Sequence, residues 1–93
     1  MPSPDNSKKI AEIADKTLLI VDDDNPFRDR LARSMEKKGF KVSQAESVKK
    51  GIEIVRSGKQ SFAVVDLRLG DGSGLEVVKE IQKSNSKSRI IML

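Results

Sequence analysis

Residues 62–78, FAVVDLRLGDGSGLEVV, hold the features that decide the fold. The segment begins with a short apolar, β-branched run that is typical of a strand buried on both faces. Asp66 stands near the end of that run, and the glycine-containing loop 70–74 follows it. Apolar residues then recur at helical spacing, at Leu75, Val78 and Ile81. A strand, a loop and an amphipathic helix in this order indicate part of a β-α-β unit.

Three more segments on either side of this one have the composition of strands. Residues 17–21, TLLIV, and residues 89–93, RIIML, are short apolar runs and predict strands buried on both faces. Residues 40–45, FKVSQA, alternate apolar and polar side chains, which predicts a more exposed strand. Together with residues 62–67, these runs give a sheet of at least four strands.

Two further helices separate the first three strands. In the first helix Asn25 is the predicted N-cap, Pro26 suits the first helical position and Gly39 ends the helix. In the second helix Ser47 is the predicted N-cap and Gly58 the end. We expect a few apolar side chains to be core and two lysines to face solvent: Phe27, Leu31, Val55 and Val78, and Lys49 and Lys50.

Strands that alternate with amphipathic helices predict an α/β fold, a doubly wound parallel sheet with helices on both faces. Residues 16–93 form the predicted domain. Residues 1–15 are polar and contain Pro2 and Pro4, so we expect a flexible N-terminal leader there.

The composition of the 93-residue chain excludes several classes of function. It contains neither cysteine nor histidine, which rules out disulfides, thiolate or imidazole metal sites and His-dependent catalysis. The net charge of +4 comes from scattered lysines, and three phenylalanines are the only aromatic residues, so we expect no direct nucleic-acid binding. No apolar run approaches the roughly 20 residues that span a bilayer, and no signal peptide is evident, so we expect a cytoplasmic protein without a membrane partner.

Acidic residues follow two of the predicted strands. Asp22 and Asp23 come after the first strand, and Asp66 closes the third. Ligands of parallel α/β sheets bind at the carboxyl ends of the strands, so three carboxylates would converge there if these strands are neighbours. Such carboxylates repel one another unless a cation neutralises them, and oxygen ligands suit Mg²⁺. A carboxylate can attack a phosphoryl group to give an aspartyl phosphate.

A plainer interpretation of the acids at 22–24 is that they cap the next helix. Asp66 is harder to explain in that way, because an ionisable residue in an apolar strand costs free energy unless it has a partner. The two acidic sites together favour a metal and phosphate pocket. The spacing of Gly70, Gly72 and Gly74 matches neither a dinucleotide fingerprint nor a P-loop, and a mobile turn with positive φ is the expected structure.

The segments LLIVDDD (18–24), VVDLRLGDGSGLEV (64–77) and RIIML (89–93) together resemble the receiver domain of bacterial response regulators, in the CheY-like family. The resemblance covers about residues 16–93, and in detail it is similar to the RegA/ActR/PrrA group of redox-responsive two-component regulators. It implies a flavodoxin-like fold of strand order 2-1-3-4-5. It further implies that a sensor histidine kinase phosphorylates Asp66 and that Asp22 and Asp23 sit at a Mg²⁺, with Asp23 as the direct ligand. Arg68 matches the position that lends its backbone carbonyl to the metal.

The chain also departs from that family pattern. The family has a Ser or Thr after the fourth strand and a Lys after the fifth, whereas this sequence stops at Leu93. We therefore expect an incomplete receiver of order 2-1-3-4, in which the fifth strand, the last two helices and the DNA-binding output domain are missing. The apolar strand 89–93 would then be uncovered, which makes a homodimer through the strand edge a candidate assembly.

Three functions compete at this point. The first is a phosphoacceptor signalling domain that switches a transcriptional output domain and is not itself an enzyme, apart from its own phosphorylation and dephosphorylation. The second is a Mg²⁺-dependent aspartyl-phosphate phosphotransferase or phosphatase, which would need an acid two residues past the nucleophile, where Arg68 stands. The third is a non-catalytic interaction fragment in which the acids only cap helices.

Overall fold

A computed structural model of the chain describes residues 16–93, so the predicted leader, residues 1–15, lies outside the described part. The elements follow one another as β1 (Thr17–Val21), α1 (Asn25–Lys37), β2 (Lys41–Ala45), α2 (Val48–Ser57), β3 (Phe62–Val65), β4 (Arg68–Leu69), β5 (Gly72–Ser73), α3 (Gly74–Ser84) and β6 (Arg89–Met92). No helix in residues 16–93 is long and apolar enough to cross a membrane.

The main sheet is parallel and has four strands in the order β2-β1-β3-β6. The two central strands pair in register from Leu18 opposite Phe62 to Val21 opposite Val65. This topology confirms the predicted doubly wound, flavodoxin-like fold, with β6 in the place of the fourth predicted strand.

Helices cover both faces of this sheet, but unequally. On one face α2 and α3 pack over a large cluster that includes Leu19, Val65 and Ile81. We call this the closed face. On the other face α1 is the only helix that residues 16–93 contribute, and the buried cluster there consists of Leu18, Ile20 and Ala32. We call this the open face. β1 is apolar throughout because it is central and its side chains are buried on both faces.

Helix capping follows the sequence closely, with one shift. Ser47 caps α2 as predicted, and its Oγ accepts a hydrogen bond from the Lys50 N–H at 3.1 Å. In α1 the predicted cap Asn25 is wrong by one residue. Asp24 has the extended backbone of an N-cap and accepts from the Phe27 N–H at 3.1 Å, while Asn25 is already helical. Pro26 still lies in the first turn, where its missing N–H costs nothing.

The predicted apolar face of α3 is wrong at its first residue, Leu75. Leu75 is 47% exposed, whereas Val77, Val78 and Ile81 are buried. The buried positions are spaced i, i+3, i+4 and i+7 when counted from Gly74, so the true stripe begins one residue before Leu75. A glycine gives no apolar signal, which is why the pattern pointed to its neighbour.

Two other burial predictions need correction. Val55 and Val78 are buried as predicted, but Phe27 and Leu31 are only half buried because they lie on α1, over the open face. The strand β6 is not buried on both faces, and Ile91 is 62% exposed. β6 pairs only with β3, and no helix of residues 16–93 covers its outer side.

The open face carries a cleft of about 350 Å³ beside that strand. Its walls are apolar and include Met35 of α1, Phe40, Phe62 and Ile91. Phe40 and Phe62 meet edge to face, with ring centroids 5.4 Å apart. The closed face is therefore packed by two helices, whereas the open face keeps apolar surface accessible.

Candidate functional site

The central strands end side by side, and each is followed at once by an acid. The Asp22 N–H donates to the carbonyl of Ala45 at 3.0 Å, which extends the β1–β2 ladder by one residue. The Asp66 N–H donates to the carbonyl of Val21 at 2.8 Å, which extends the β3–β1 ladder in the same way. One carboxylate oxygen from each of Asp22, Asp23 and Asp66 lies within 4.8 Å of the others. The structure thus brings together the three acids that the sequence singled out.

The three carboxylates differ in their exposure. Asp22 is 6% exposed, Asp66 is half buried and Asp23 is exposed. Burial raises the pKa of Asp22, and the negative charges of Asp66 and Asp23 raise it further, against the lowering effect of a hydrogen bond from the Asp24 N–H at 2.9 Å. A cation bound among these oxygens would relieve this repulsion.

The turn after β1 is held by the cap residue Asp24 and by the Arg28 guanidinium. Asp24 alone takes the capping role that was the plainer interpretation of all the acids at 22–24. The Arg28 guanidinium donates to the backbone carbonyl of Asp22 at 2.6 Å and to Gln44 Oε1 at 3.0 Å. The salt bridges within residues 16–93 lie elsewhere, on α2 and between α2 and α3. The acidic cluster is therefore fixed in place without being neutralised by a protein cation of the described part.

The segment after Asp66 bends back onto that residue. Asp66 Oδ1 accepts from the Arg68 N–H at 3.1 Å, and the Leu67 carbonyl accepts from the Gly74 N–H at 2.9 Å. The structure thus places the backbone of Arg68, the remaining predicted site residue, beside Asp66. Its contact with the acid is made by the backbone and not by the guanidinium.

A small hairpin stands where the sequence analysis expected only a mobile turn. β4 and β5 pair antiparallel, with Arg68 opposite Ser73 and Leu69 opposite Gly72. Leu69 is buried and belongs to the closed-face core, so the hairpin is anchored. Gly-Asp at 70–71 is a hairpin-type loop, but each flanking run is only two residues long and gave no strand signal.

Gly72 and Gly74 are both favoured in this segment, but for different structural reasons. Gly72 has φ of +153°, a backbone conformation that favours glycine, as expected. Gly74 is needed for a close approach instead. A Cβ there would lie 2.1 Å from the carbonyl oxygen of Asp66 and 2.8 Å from Val65 Cγ1. The first turn of α3 therefore packs directly against the backbone of Asp66.

Asp71, at the tip of the hairpin, was not identified from the sequence. Its carboxylate accepts hydrogen bonds from the backbone N–H groups of Val48 at 2.8 Å and Lys49 at 3.1 Å, in the first turn of α2. These two bonds lower the pKa of Asp71. No local sequence signal could have found this contact, because the partners are 23 and 22 residues away.

Comparisons with known proteins agree with this geometry. Residues 18–93 match the family described as the response regulator receiver domain. The photosynthetic apparatus regulatory protein RegA of Rhodobacter capsulatus is 48% identical over 87 residues, which cover 92% of this chain and 47% of that protein. The acid tolerance regulatory protein ActR of Sinorhizobium medicae is 53% identical over 79 residues, covering 85% of this chain and 41% of that protein. The chain thus spans less than half the length of these relatives.

Solved structures show the same fold. A response regulator protein from Burkholderia pseudomallei, with a phosphorylated aspartic acid, a calcium ion and citrate, superposes with a TM-score of 0.78 at 33% identity, over 84% of this chain and 46% of that one. The response regulator TrrA from Thermotoga maritima, in complex with Mg²⁺ and BeF, gives 0.74 at 30% identity, over 83% and 67%.

The chain therefore belongs to the response regulator receiver domain family, and it is a receiver domain of a two-component system. Within that family its sequence is similar to the RegA and ActR regulators, as predicted.

Proposed function

We propose that Asp66 is the residue of this receiver domain that accepts a phosphoryl group. The observation that carries the proposal is the meeting of its carboxylate with those of Asp22 and Asp23 within 4.8 Å. Asp22 is only 6% exposed, so its carboxylate is less accessible to a phosphoryl donor than that of Asp66. Asp66 is half buried at the end of the central strand β3, and the Burkholderia pseudomallei relative carries a phosphorylated aspartic acid.

The same cluster fits a divalent cation. Its donors are oxygens, the three carboxylates are not neutralised by a salt bridge of the described residues, and burial, together with the neighbouring negative charges, raises the pKa of Asp22. Asp22, Asp23 and Asp66, together with the backbone carbonyl of Arg68, would hold Mg²⁺. When bound, the ion supplies positive charge that shields the carboxylates from an incoming phosphoryl group. The Thermotoga maritima relative is in complex with Mg²⁺, and the Burkholderia pseudomallei relative holds calcium.

In the proposed transfer, a carboxylate oxygen of Asp66 forms a bond to phosphorus while the bond between phosphorus and the donor histidine nitrogen breaks. The electron pair of that bond stays on the imidazole nitrogen of the kinase. The residues of this chain hold the geometry. The Arg68 N–H fixes one oxygen of Asp66, and Arg28 fixes the turn that carries Asp22 and Asp23 through the Asp22 carbonyl.

In the whole protein, we propose, the phosphorylated receiver switches a DNA-binding output domain, and the donor is a sensor histidine kinase in the cytoplasm. The RegA and ActR relatives are regulatory proteins about twice as long as this chain, which leaves room for such a domain. Residues 16–93 would act as the switch and would not contact nucleic acid.

An enzyme that hydrolyses or transfers phosphate through Asp66 is less well supported. Such a reaction needs an acid two residues past the nucleophile to move a proton. That position is Arg68, which cannot serve as an acid or base at neutral pH. We therefore propose that turnover is limited to the domain's own phosphorylation and dephosphorylation.

Intact-mass spectrometry after incubation with Mg²⁺ and a small acyl-phosphate donor tests the proposal. We expect one added phosphate on the native protein and none on Asp66→Asn. Asp29→Asn is the matched control, because Asp29 is an exposed acid on α1 outside the cluster, and it should be phosphorylated like the native protein. Equal labelling of the Asp66→Asn variant would contradict the proposal.

A further inference from the structure

Asp71 links the hairpin after Asp66 to the start of helix α2. One carboxylate oxygen takes the N–H of Val48 at 2.8 Å and the other takes the N–H of Lys49 at 3.1 Å. A carboxylate that accepts two consecutive N–H groups is fixed in both distance and orientation. The positive end of the helix backbone adds to this attraction.

We propose that Asp71 is a positioning residue for the metal site: by clamping the β4–β5 hairpin to α2 it holds the backbone of Arg68 in place beside Asp66. This inference rests on the proposed function, because Arg68 matters only if its carbonyl serves the metal.

The hairpin connects Asp71 to Asp66 through only a few residues. Asp71 is at the tip of the hairpin, and the hairpin pairs Arg68 with Ser73. Arg68 in turn donates its N–H to Asp66 Oδ1 at 3.1 Å. A shift of the hairpin would therefore move the Arg68 N–H that orients Asp66 and also the carbonyl of the same residue, which is proposed for the metal.

The other anchors of the hairpin leave this motion open. Leu69 is buried in the closed-face core and Gly74 is packed against the carbonyl of Asp66, but Arg68 itself is exposed. Nothing lies within 4 Å of the position of a Cβ on Gly70, so the tip has open space around it. The two bonds of Asp71 are the side-chain contacts that restrain the tip against α2.

A purely structural role, as a cap of α2, is the competing explanation, and the chain offers a matched control for it. Ser47 caps the same helix end through the Lys50 N–H at 3.1 Å. Removing its hydroxyl weakens the helix start by about 1 kcal/mol but breaks no bond to the hairpin. Asp71→Asn weakens the helix start and also loosens the hairpin, because an amide offers one acceptor oxygen for two N–H groups.

The test is the Mg²⁺ dissociation constant, measured by isothermal titration calorimetry on the native protein, Asp71→Asn and Ser47→Ala, well below the unfolding temperature of each. Residues that orient metal ligands without binding the metal change its affinity by about tenfold or more. We therefore expect the Mg²⁺ dissociation constant of Asp71→Asn to be about tenfold higher than that of the native protein. For Ser47→Ala we expect a change of less than about twofold, because its lost bond lies within α2 and does not involve the hairpin. The rate of phosphorylation at subsaturating Mg²⁺ should fall in the same order.

The outcomes separate the two proposals. A native protein that binds no Mg²⁺ and takes no phosphate would overturn the proposed function itself. Native binding with equal Mg²⁺ dissociation constants for Asp71→Asn and the native protein would overturn the role of Asp71 alone, as would an equal weakening by Ser47→Ala. Asp71→Ala, which removes both acceptors, should weaken binding further, and if it does not fold the Asp71→Asn result still decides.

Discussion

The closed and open faces of the sheet differ most clearly at two neighbouring residues of β3. Val65 points to the closed face and is fully buried, whereas Val64 points to the open face and is half buried. Asp66 follows them directly, and the hairpin, Gly74 and Asp71 all tie its loop to the closed side. The comparison teaches that Asp66, the proposed acceptor, is positioned from the closed face, while the open face leaves apolar surface accessible beside α1.

The largest effect should come from Gly74→Ala. A Cβ would meet the Asp66 carbonyl oxygen at 2.1 Å, and because this atom belongs to the backbone it cannot move aside as a flexible side chain could. We expect the free energy of unfolding to fall by about 3 kcal/mol or more, measured by urea denaturation. Gly70→Ala is the control in the same loop. Its Cβ would meet nothing within 4 Å, so its stability should change by less than about 1 kcal/mol. A similar loss for both variants would remove the argument that α3 must approach Asp66 closely.

Truncating the two valines of β3 tests the comparison directly. Val65→Ala should lower the free energy of unfolding by about 2 kcal/mol, because the fully buried side chain leaves a cavity in the closed core. Val64→Ala should cost about 1 kcal/mol, because its side chain is already partly in contact with solvent. Equal losses, measured by urea denaturation at the same pH, would show that the two faces are packed alike.

A smaller effect is expected from pH at Asp71. Its pKa in the folded protein lies below the ordinary value of 3.8, because two backbone N–H groups bind the charged form. The resulting stabilisation is present above the unfolded pKa and is lost as the pH falls through the folded pKa. The difference in the free energy of unfolding between the native protein and Asp71→Asn should therefore become smaller as the pH is lowered from about 5 to about 3. If this difference does not change with pH, the charge of Asp71 does not contribute to stability.

The smallest effect should come from the ion pair that joins the two helices of the closed face. Arg56 Nε lies 3.3 Å from Glu80 Oε2, and the Arg56 side chain is largely exposed. Glu80→Gln should cost about 0.5 kcal/mol, and the difference should shrink in high salt. Glu53→Gln, whose partner Lys50 lies 3.9 Å away on the same helix, is the control and should change less. A salt-independent loss for Glu80→Gln would point to packing rather than charge.

Much of the fold could be predicted from local patterns. The strand-helix alternation predicts a parallel sheet, and the resemblance to receiver domains implied the strand order that brings Asp22, Asp23 and Asp66 together. The errors arose where an apolar pattern was incomplete. The buried face of α3 begins at Gly74, which has no apolar side chain, so the apolar pattern pointed to Leu75 instead. The exposure of β6 depends on which elements cover it, and its apolar composition does not reveal this.

The support around the site could not be predicted in the same way. The bonds of Asp71 to α2 and the close approach of Gly74 to Asp66 depend on how separate elements pack in three dimensions. A pattern read along the chain contains periodicity and capping preferences but no distances between distant residues. The acids could therefore be located from the sequence, whereas the groups that hold them required the structure.

The central claim is that phosphate is captured on Asp66 and not on its acidic neighbours. Borohydride reduction of the protein after incubation with Mg²⁺ and an acyl-phosphate donor converts a phosphorylated aspartate to homoserine, and peptide mass spectrometry then reads its position. We expect homoserine at position 66 only, with none in samples that received no donor. Homoserine at Asp22 or Asp23, with Asp66 unchanged, would contradict the account.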